Sequence, residues 1–380
     1  MRSVASRLAL AVVVVLGSGT TRLSAQEQAR KPPVDDGWPD LSSFLKEKYG
    51  FLPIVVPITE PAVGYGAAGG VAFLSKSLGQ AQAGFGRPDI TMVGGMGTEN
   101  DSWAAAAGDI RYWLEDKLQT RVFAATGSVN LDFFGVGSDA VLDDQPLRYN
   151  LEPLGTSLEA RYRLDDTPWW VGLNYTFASV DVSFDTPAGT PGQPAFRAES
   201  EVGGLTPILN FDSRNNIFTP TTGTFVELTV GLYDEAFGGD EAFQKVYLLG
   251  MHFEPLAEQW YLGVRVDAAA SFGDVPFYLR PFVALRGVPM LRYQGETTAS
   301  LETELRWQFW QRFSLVGFGG VGGAWNDFEQ IDNKSNAVAG GLGLRYELAR
   351  EYGIHAGFDV AVGPEETVLY IQVGSAWVRP

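Results

Sequence analysis

The chain has 380 residues, a formal net charge of −17 and no cysteine. The acidic excess disfavours nucleic acid and anionic membrane surfaces as partners, and the lack of cysteine excludes disulfides, thiolate catalysis and cysteine-ligated metals. The 45 glycines, the 13% aromatic content and a mean hydropathy of −0.02 are unusual for a soluble globular protein. They are typical of a wall whose side chains alternate between lipid and water.

Residues 1–25 have the pattern of a secretory signal peptide. Arg2 and Arg7 form its basic region, an apolar run covers residues 8–16, and Ala25 precedes the predicted cleavage point. The apolar run is shorter than the roughly 20 residues that a membrane-spanning helix needs. We therefore expect cleavage and export rather than anchoring.

Residues 26–50 are polar and contain prolines, which predicts a periplasmic segment with one short helix near 41–48. The first predicted strand covers 51–58, and the next three cover 63–76, 90–98 and 102–114. Pro53 and Pro57 in the first strand donate no N–H, so this strand belongs at a sheet edge. Counted with it, the strands number sixteen, and the predicted barrel domain covers 51–380.

Later strands alternate strictly between apolar and polar residues. In the stretch 297–309, "TTASLETELRWQF", one parity is apolar and the other carries every charge. This period of two indicates a strand, and segments of 10 to 15 residues are typical of membrane barrels rather than of globular sheets. The polar parity of this and other strands gives the predicted lumen a mixed charge: Arg265, Asp267, Glu302, Glu304, Arg306, Arg345, Glu347 and Asp359.

Connections between the predicted strands alternate in length. Short polar turns such as "LEDKL" and "LDDTP" alternate with long connections such as 135–147, 185–200 and 273–296. Outer-membrane barrels have short periplasmic turns and long outer loops, and strands that cross lipid must form a closed barrel without free edges. The predicted fold class is therefore all-β: a 16-stranded antiparallel transmembrane β-barrel in the outer membrane of a Gram-negative bacterium.

The stretch 283–296, "VALRGVPMLRYQGE", places Arg286 and Gly287 in the long connection before strand twelve. An arginine in a barrel lumen is expected to pair with carboxylates, which its planar guanidinium can engage through two N–H groups. The candidate partners on the polar parities are Glu302, Glu304, Glu347 and Asp359.

Other motifs point to no enzyme, cofactor or metal site. The glycine patterns at 64–69 and 317–322 lack the strand-to-helix context of a dinucleotide fingerprint. His252 and His355 fall on the polar parities and are interpreted as lumen side chains, because no serine nucleophile motif accompanies them. Acids in the outer loops are interpreted as a solvated face, with divalent-cation binding as the alternative: Asp143, Asp144, Asp234, Glu235, Asp240, Glu241, Glu365 and Glu366.

Three stretches resemble the BamA/TamA-type outer-membrane assembly factors, also called bacterial surface antigens. "LRGVP" at 285–289 resembles their Arg-Gly-aromatic loop motif, and "FDSRNNIFTPTTGTFVEL" at 211–228 is similar to a periplasmic turn before strand nine. "YIQVGSAW" at 370–377 resembles their closing strand, with Trp377 as the late aromatic residue. The resemblance covers about residues 50–380.

The resemblance implies that the loop folds into the lumen and that Arg286 pairs with Glu304 on strand twelve. Val288 replaces the motif's aromatic residue, and Gly320 stands where the family has an aspartate on strand thirteen. Both departures predict a loop held less firmly than in the family. Residues 26–50 are too few for a POTRA repeat, so a barrel without these periplasmic repeats is expected.

The resemblance implies a barrel that assists insertion or translocation of proteins or lipids at the outer membrane. Strands one and sixteen would form a lateral seam, marked by Pro53, Pro57 and Trp377. The expected partners are outer-membrane lipids, unfolded outer-membrane proteins and other assembly factors. The mixed-charge lumen leaves a passive or gated diffusion channel for small solutes as the alternative, and a surface enzyme that uses His355 as a third hypothesis.

Overall fold

The computed structural model describes residues 36–75, 88–136, 146–184, 197–326 and 336–377. One short helix, α1 (Ser42–Glu47), precedes the strands, near the position that the sequence predicts. The strands are β1 Gly50–Ile58, β2 Gly66–Leu74, β3 Ile90–Thr98, β4 Trp103–Trp113, β5 Leu118–Phe133, β6 Leu147–Arg163, β7 Trp169–Phe184, β8 Arg197–Asp212, β9 Gly223–Tyr233, β10 Phe243–Ala257, β11 Trp260–Gly273, β12 Thr297–Trp310, β13 Phe313–Trp325, β14 Asn336–Ala349, β15 Ile354–Val362 and β16 Thr367–Val373.

The sixteen strands form one sheet in which each strand pairs antiparallel with its neighbours in sequence. The sheet curls into a nearly closed barrel, which confirms the predicted fold class. Within the described ranges, no ladder joins β1 to β16, so these strands flank a lateral seam. The same ranges contain no helix long and apolar enough to span a membrane. The predicted signal peptide at 1–25 lies outside the described residues, as do Asp143 and Asp144.

The outer face of the barrel is apolar, and large aromatic rings lie where the strands meet the short turns. Trp113, Trp169 and Trp310 are exposed at this end, and Trp260 stacks on Trp307 with ring centroids 5.2 Å apart. Amphipathic rings of this kind favour the boundary between hydrocarbon and water. This ring of aromatic side chains therefore marks one membrane interface of the barrel.

The long connection 274–296 folds back into the barrel from the opposite end. Tyr278, Leu279 and Phe282 of this loop are buried against inner-face residues of β5–β8 such as Leu131 and Val180. Burial of such side chains contributes about 1.5–3 kcal/mol each. The outer part of the lumen is thus an apolar core rather than an open channel.

The end of the barrel with the short turns is crossed by three segments. In the β8–β9 connection, Asn216 Nδ2 donates to the Tyr352 carbonyl over 2.6 Å, which reaches the β14–β15 turn. The Phe218 carbonyl accepts from Ser375 N at 2.5 Å, just beyond β16. Leu45 of α1 packs against an apolar cluster that includes Phe218. These segments form a floor across the lumen, which we call the short-turn floor.

Arg312 in the β12–β13 turn holds the chain before α1 against the barrel. Its side chain is 1% exposed and donates to both carboxylate oxygens of Asp36 over 2.7 and 3.0 Å. Asp40 lies 3.0 Å from the same guanidinium, and Leu41 N donates to the Leu348 carbonyl over 2.9 Å. The chain that leads into β1 is therefore fixed to β12–β14, which lie on the β16 side of the seam.

Candidate functional site

The loop 274–296 positions Arg286 by packing on either side of it. Val283, Leu285 and Val288 are buried against alanines of β13 and β14, and Val283 N donates to the Tyr293 carbonyl over 2.9 Å. With its apolar neighbours held against the wall, Arg286 points into the lumen and is 9% exposed. Val288, which replaces the aromatic residue of the family motif, is part of this packing.

Three carboxylates surround the Arg286 guanidinium. Nε donates to Glu302 Oε1 over 2.6 Å, Nη2 lies 2.8 Å from Glu304 Oε2, and Nη1 donates to Asp359 Oδ2 over 2.9 Å. The guanidinium carbon also lies 3.7 Å from the centroid of the Phe318 ring. Strands β12 and β15 are thereby joined through one loop residue, and we call these five side chains the lumen cluster.

One buried acid of the lumen cluster, Asp359, is shared with a second arginine. Asp359 is 0% exposed and lies against Arg345, whose Nη1 and Nη2 donate to its two oxygens over 2.5 and 2.8 Å. A charge buried away from water is costly unless it is paired and hydrogen-bonded. Asp359 therefore requires both Arg286 and Arg345, and loss of either one leaves it incompletely paired.

Gly287 fits its position for two physical reasons. Its φ of +89° lies in the left-handed region, and an added Cβ would lie 3.2 Å from Ala339 Cβ and 3.3 Å from Ala361 Cβ. Its N–H donates to the Tyr370 hydroxyl over 3.1 Å. The motif glycine thus brings the loop close to the inner wall and to β16, the strand that borders the seam.

The loop makes the contact between Arg286 and Glu304 that the resemblance implied, and further contacts hold it as well. At Gly320, where the family has an aspartate, an added Cβ would lie 2.5 Å from the Leu285 side chain. Leu285 of the loop fills this space, and Asp359 on β15 supplies an acid in place of one on β13. The expected weakening from Gly320 and Val288 is therefore offset by apolar packing and by a third carboxylate.

Glu347 lies apart from the other candidate partners. Its carboxylate lies 3.9 Å from Arg350, toward the β14–β15 turn. The lumen cluster thus contains Glu302, Glu304 and Asp359 from the candidate list. Alternation along a strand assigns a face but not a height in the barrel, which explains why Glu347 could not be separated from the others by sequence.

Trp377 does not belong to the closing strand, and this corrects the sequence interpretation. β16 ends at Val373, and Gly374 with a φ of +83° turns the chain inward. Trp377 is 3% exposed, packs with Phe253 of β10 and donates from Nε1 to Glu302 Oε1 over 2.9 Å. It lies inside the barrel, and it joins the chain beyond the seam to the lumen cluster.

The two histidines lie on opposite faces of the wall. His355 is buried in the lumen, with Nε2 3.3 Å from Arg306 Nη1. His252 is exposed and contacts Thr224 on the outer face of the barrel, which corrects its interpretation as a lumen residue. The inner-face residues of β10 nearest to His252 are Leu249, Met251 and Phe253, which pack with Trp377. The described residues contain no group of three or more His, Asp or Glu side chains that could hold a metal ion.

The seam has an apolar first strand. Pro53 and Pro57 lie on the exposed outer face of β1, and β1 is paired through its full length with β2. Loop 274–296 contacts both sides of the seam: Met290 N donates to Glu60 Oε1 over 3.0 Å, beyond β1, and Arg292 Nε lies 3.1 Å from Glu365 Oε1 in the β15–β16 connection. Contacts of the loop with the carboxylates of Glu60 and Glu365, rather than a backbone ladder, connect the two sides of the seam here.

This architecture defines the class of the protein: a 16-stranded antiparallel β-barrel with a loop folded into its lumen. No family model and no curated protein matches the chain. Among solved structures, BamA from Haemophilus ducreyi lacking POTRA domains 1-3 is similar over 86% of this chain and 69% of that chain, with 14% identity and a TM-score of 0.59.

Two further solved structures share the fold. CdiB from Escherichia coli is similar over 85% of this chain and 61% of that chain, with 11% identity and a TM-score of 0.57. CdiB from Acinetobacter baumannii is similar over 85% of this chain and 59% of that chain, with 8% identity and a TM-score of 0.54. The chain spans less than two thirds of either CdiB chain. Its fold is similar to that of the BamA and CdiB barrels, which is the fold that the resemblance implies.

Proposed function

We propose that this protein is a Gram-negative outer-membrane barrel that assists insertion or translocation of proteins or lipids at its β1–β16 seam. The observation that carries the proposal is the seam itself. Within the described strands it lacks a ladder, and loop 274–296 clasps its two sides through Glu60 and Glu365. Side-chain contacts can be exchanged one at a time, whereas a backbone ladder must open cooperatively.

Opening of the seam is coupled to the lumen cluster in this proposal. Gly287, next to Arg286, contacts Tyr370 of β16, and Trp377 beyond β16 contacts Glu302. Movement of β16 away from β1 therefore strains contacts to both the loop and the cluster. No step in this function requires covalent chemistry, so the proposal does not make the protein an enzyme.

The test is an engineered disulfide across the seam. Because the chain has no cysteine, cysteine pairs that join β1 to β16 can be introduced without competing native thiols, and oxidation then locks the seam. A matched control joins Val55 to Gly69, which are partners in the existing β1–β2 ladder. We expect the seam pair, but not the control pair, to impair growth and alter envelope composition when oxidised. Equal behaviour of the two pairs would refute the proposal.

A diffusion channel is the second candidate, and the mixed charge of the lumen supports it. The inner faces of β11–β15 carry Arg265, Asp267, Arg306 and Arg345 beside the lumen cluster. Loop 274–296 fills the outer part of the lumen, so conduction would require the loop to move. Planar-bilayer recording distinguishes the candidates, because a channel must conduct steadily with the loop intact.

A further inference from the structure

The lumen-facing side of β1–β4 differs from the rest of the inner wall. Along these four strands, every lumen-facing residue is uncharged, and nearly all are apolar: Leu52, Ile54, Val56, Ile58, Gly66, Ala68, Gly70, Ala72, Leu74, Ile90, Met92, Gly94, Met96, Thr98, Ala104, Ala106, Gly108, Ile110 and Tyr112. The lumen faces of β11–β15 instead carry buried arginines and acids. A lumen filled with water favours polar side chains on all sides.

We propose that the middle of this apolar inner wall, around Ile54, Met92 and Ala106, binds lipid acyl chains that enter the barrel from the membrane through the seam. At one end of the wall Ile58, Ala68 and Met96 pack with loop 274–296, and at the other end Leu52, Leu74, Ile90 and Ile110 pack against one another. The inference deepens the proposed function, and it rests on that function because it names the molecules that the seam admits. The headgroup of such a lipid would remain near the seam or the polar side of the lumen.

The position of the wall indicates the side from which its ligand comes. β1 is apolar on both faces, with Phe51 and Val55 outward and Ile54 and Val56 inward. In the described residues its free edge carries no ladder to β16. Only this single strand edge therefore separates the inner wall from the lipid-facing surface, so an acyl chain crosses one row of backbone groups between two apolar surfaces.

The two ends of the barrel argue against entry from water. Loop 274–296 occupies one end of the lumen, and the short-turn floor crosses the opposite end through Asn216 and Phe218. A ligand of this wall therefore has its shortest route through the side of the barrel, where the surrounding medium is hydrocarbon.

The chemistry of the wall favours an acyl chain over an unfolded polypeptide. Strands β2, β3 and β4 are each paired on both sides, so their backbone groups are used within the sheet. A peptide lying on this face would find only Thr98 and Tyr112 as polar side-chain partners and would leave its own backbone groups unsatisfied, which is costly. An acyl chain has no such groups.

Single cysteine labels test the inference directly. Met92 faces the lumen and the adjacent Val93 faces lipid, with 62% of its surface exposed. Gln308 faces the lumen on the charged side of the barrel. Each is replaced by cysteine, labelled with bimane and reconstituted in vesicles of ordinary or brominated phosphatidylcholine, with iodide as the aqueous quencher.

We expect brominated lipid to quench the label in Met92→Cys about as strongly as in Val93→Cys, while Gln308→Cys is quenched mainly by iodide. Ala106 faces Gly94 and Ala125 on the neighbouring strands, so Ala106→Glu adds a charge to the wall where there is room for it. It should lower lipid quenching of Met92→Cys several-fold, whereas Ala106→Leu should preserve it.

Iodide quenching of Met92→Cys with lipid quenching no greater than that of Gln308→Cys would overturn the inference. The seam-locking test separates this result from failure of the proposed function. A locked seam that damages the envelope while Met92→Cys stays inaccessible to lipid supports the function and refutes the acyl-chain site. Lipid quenching with no effect of the lock supports the site and refutes the assembly role.

Discussion

Trp377 Nε1 donates to Glu302 Oε1 over 2.9 Å. The same oxygen accepts a hydrogen bond from Arg286 Nε over 2.6 Å. Glu302 Oε1 therefore accepts hydrogen bonds from two residues: Trp377, at the end of the described chain, and Arg286 of the lumen loop. Because the two donors share this acceptor, displacement of either one changes the interaction of the other with Glu302.

Trp377→Phe tests this shared contact. Phenylalanine keeps an aromatic ring against Phe253 but removes the Nε1 donor, and a hydrogen bond to a charged group contributes about 1.5–3 kcal/mol. We expect a loss of this size in the free energy of unfolding, measured by urea titration of the reconstituted barrel. The control is Trp113→Phe, which removes an exposed hydrogen bond to Thr120 and should cost less than about 1 kcal/mol.

Arg286→Ala should destabilise the lumen cluster strongly. It leaves Glu302, Glu304 and Asp359 without their common partner, and breaking a buried ion pair costs about 3–5 kcal/mol. We expect the loop to loosen, with higher conductance in planar bilayers and greater sensitivity of cells to large antibiotics. Arg286→Lys, which keeps the charge without the planar guanidinium, should give a smaller effect.

The Arg286 prediction has a clear contrary outcome. Unchanged conductance and unchanged antibiotic sensitivity in Arg286→Ala would show that the apolar packing of Val283, Leu285 and Val288 holds the loop without the ion pairs. Arg286 would then be a remnant of the motif that is not needed to hold the loop in the lumen.

Gly287→Ala should weaken the contact between the loop and the wall. A non-glycine residue at a φ of +89° is strained by about 1–3 kcal/mol, and the new Cβ would press on Ala339 and Ala361. The expected result is a lower heat-modification midpoint on gels. Gly97→Ala is the matched control, because an added Cβ there has no atom within 4 Å. A midpoint shift common to both variants would contradict the prediction.

Much of the fold follows from the sequence because a membrane wall imposes a period of two. Alternation in the stretch 297–309 placed Glu302 and Glu304 on the inner face, and counting from the last strand gave sixteen strands in agreement with the structure. Periodicity along a strand is local, so it can be recognised without knowledge of what lies across the barrel.

The errors arose where distant parts of the chain meet inside the lumen. His252 faces outward because the inner face of β10 packs with Trp377, which lies 125 positions later in the sequence. In the sequence, the turn that brings Trp377 inward is marked only by Gly374, and a glycine alone does not indicate the direction of a turn. The anchoring of Asp36 and Asp40 by Arg312 spans more than 270 positions, and no local pattern indicates it.

The anchor of the chain before α1 should be released by acid. Hydrogen bonds from Arg312 hold the pKa of Asp36 below its ordinary value of 3.8, and the pKa of Asp40 is also lowered, since its hydrogen bonds with Ser42 and Arg312 outweigh partial burial. For a carboxyl with a lowered pKa, the stabilisation is complete above the unfolded value and is lost as the pH falls through the folded value. The segment should therefore remain docked at neutral pH and detach only below about pH 3.8.

A spin label at Phe44→Cys, on the exposed side of α1, measures this release as an increase in mobility. The double variant Asp36→Asn/Asp40→Asn cannot form the ion pairs at any pH, so its label should be mobile at neutral pH and should respond little to acid. Glu47→Gln, at an exposed position of the same helix, is the matched control and should behave like the parent. If the double variant stays as immobile as the parent at neutral pH, the aromatic contacts of Trp38 with Trp310 and Phe313, rather than Arg312, hold this segment on the barrel.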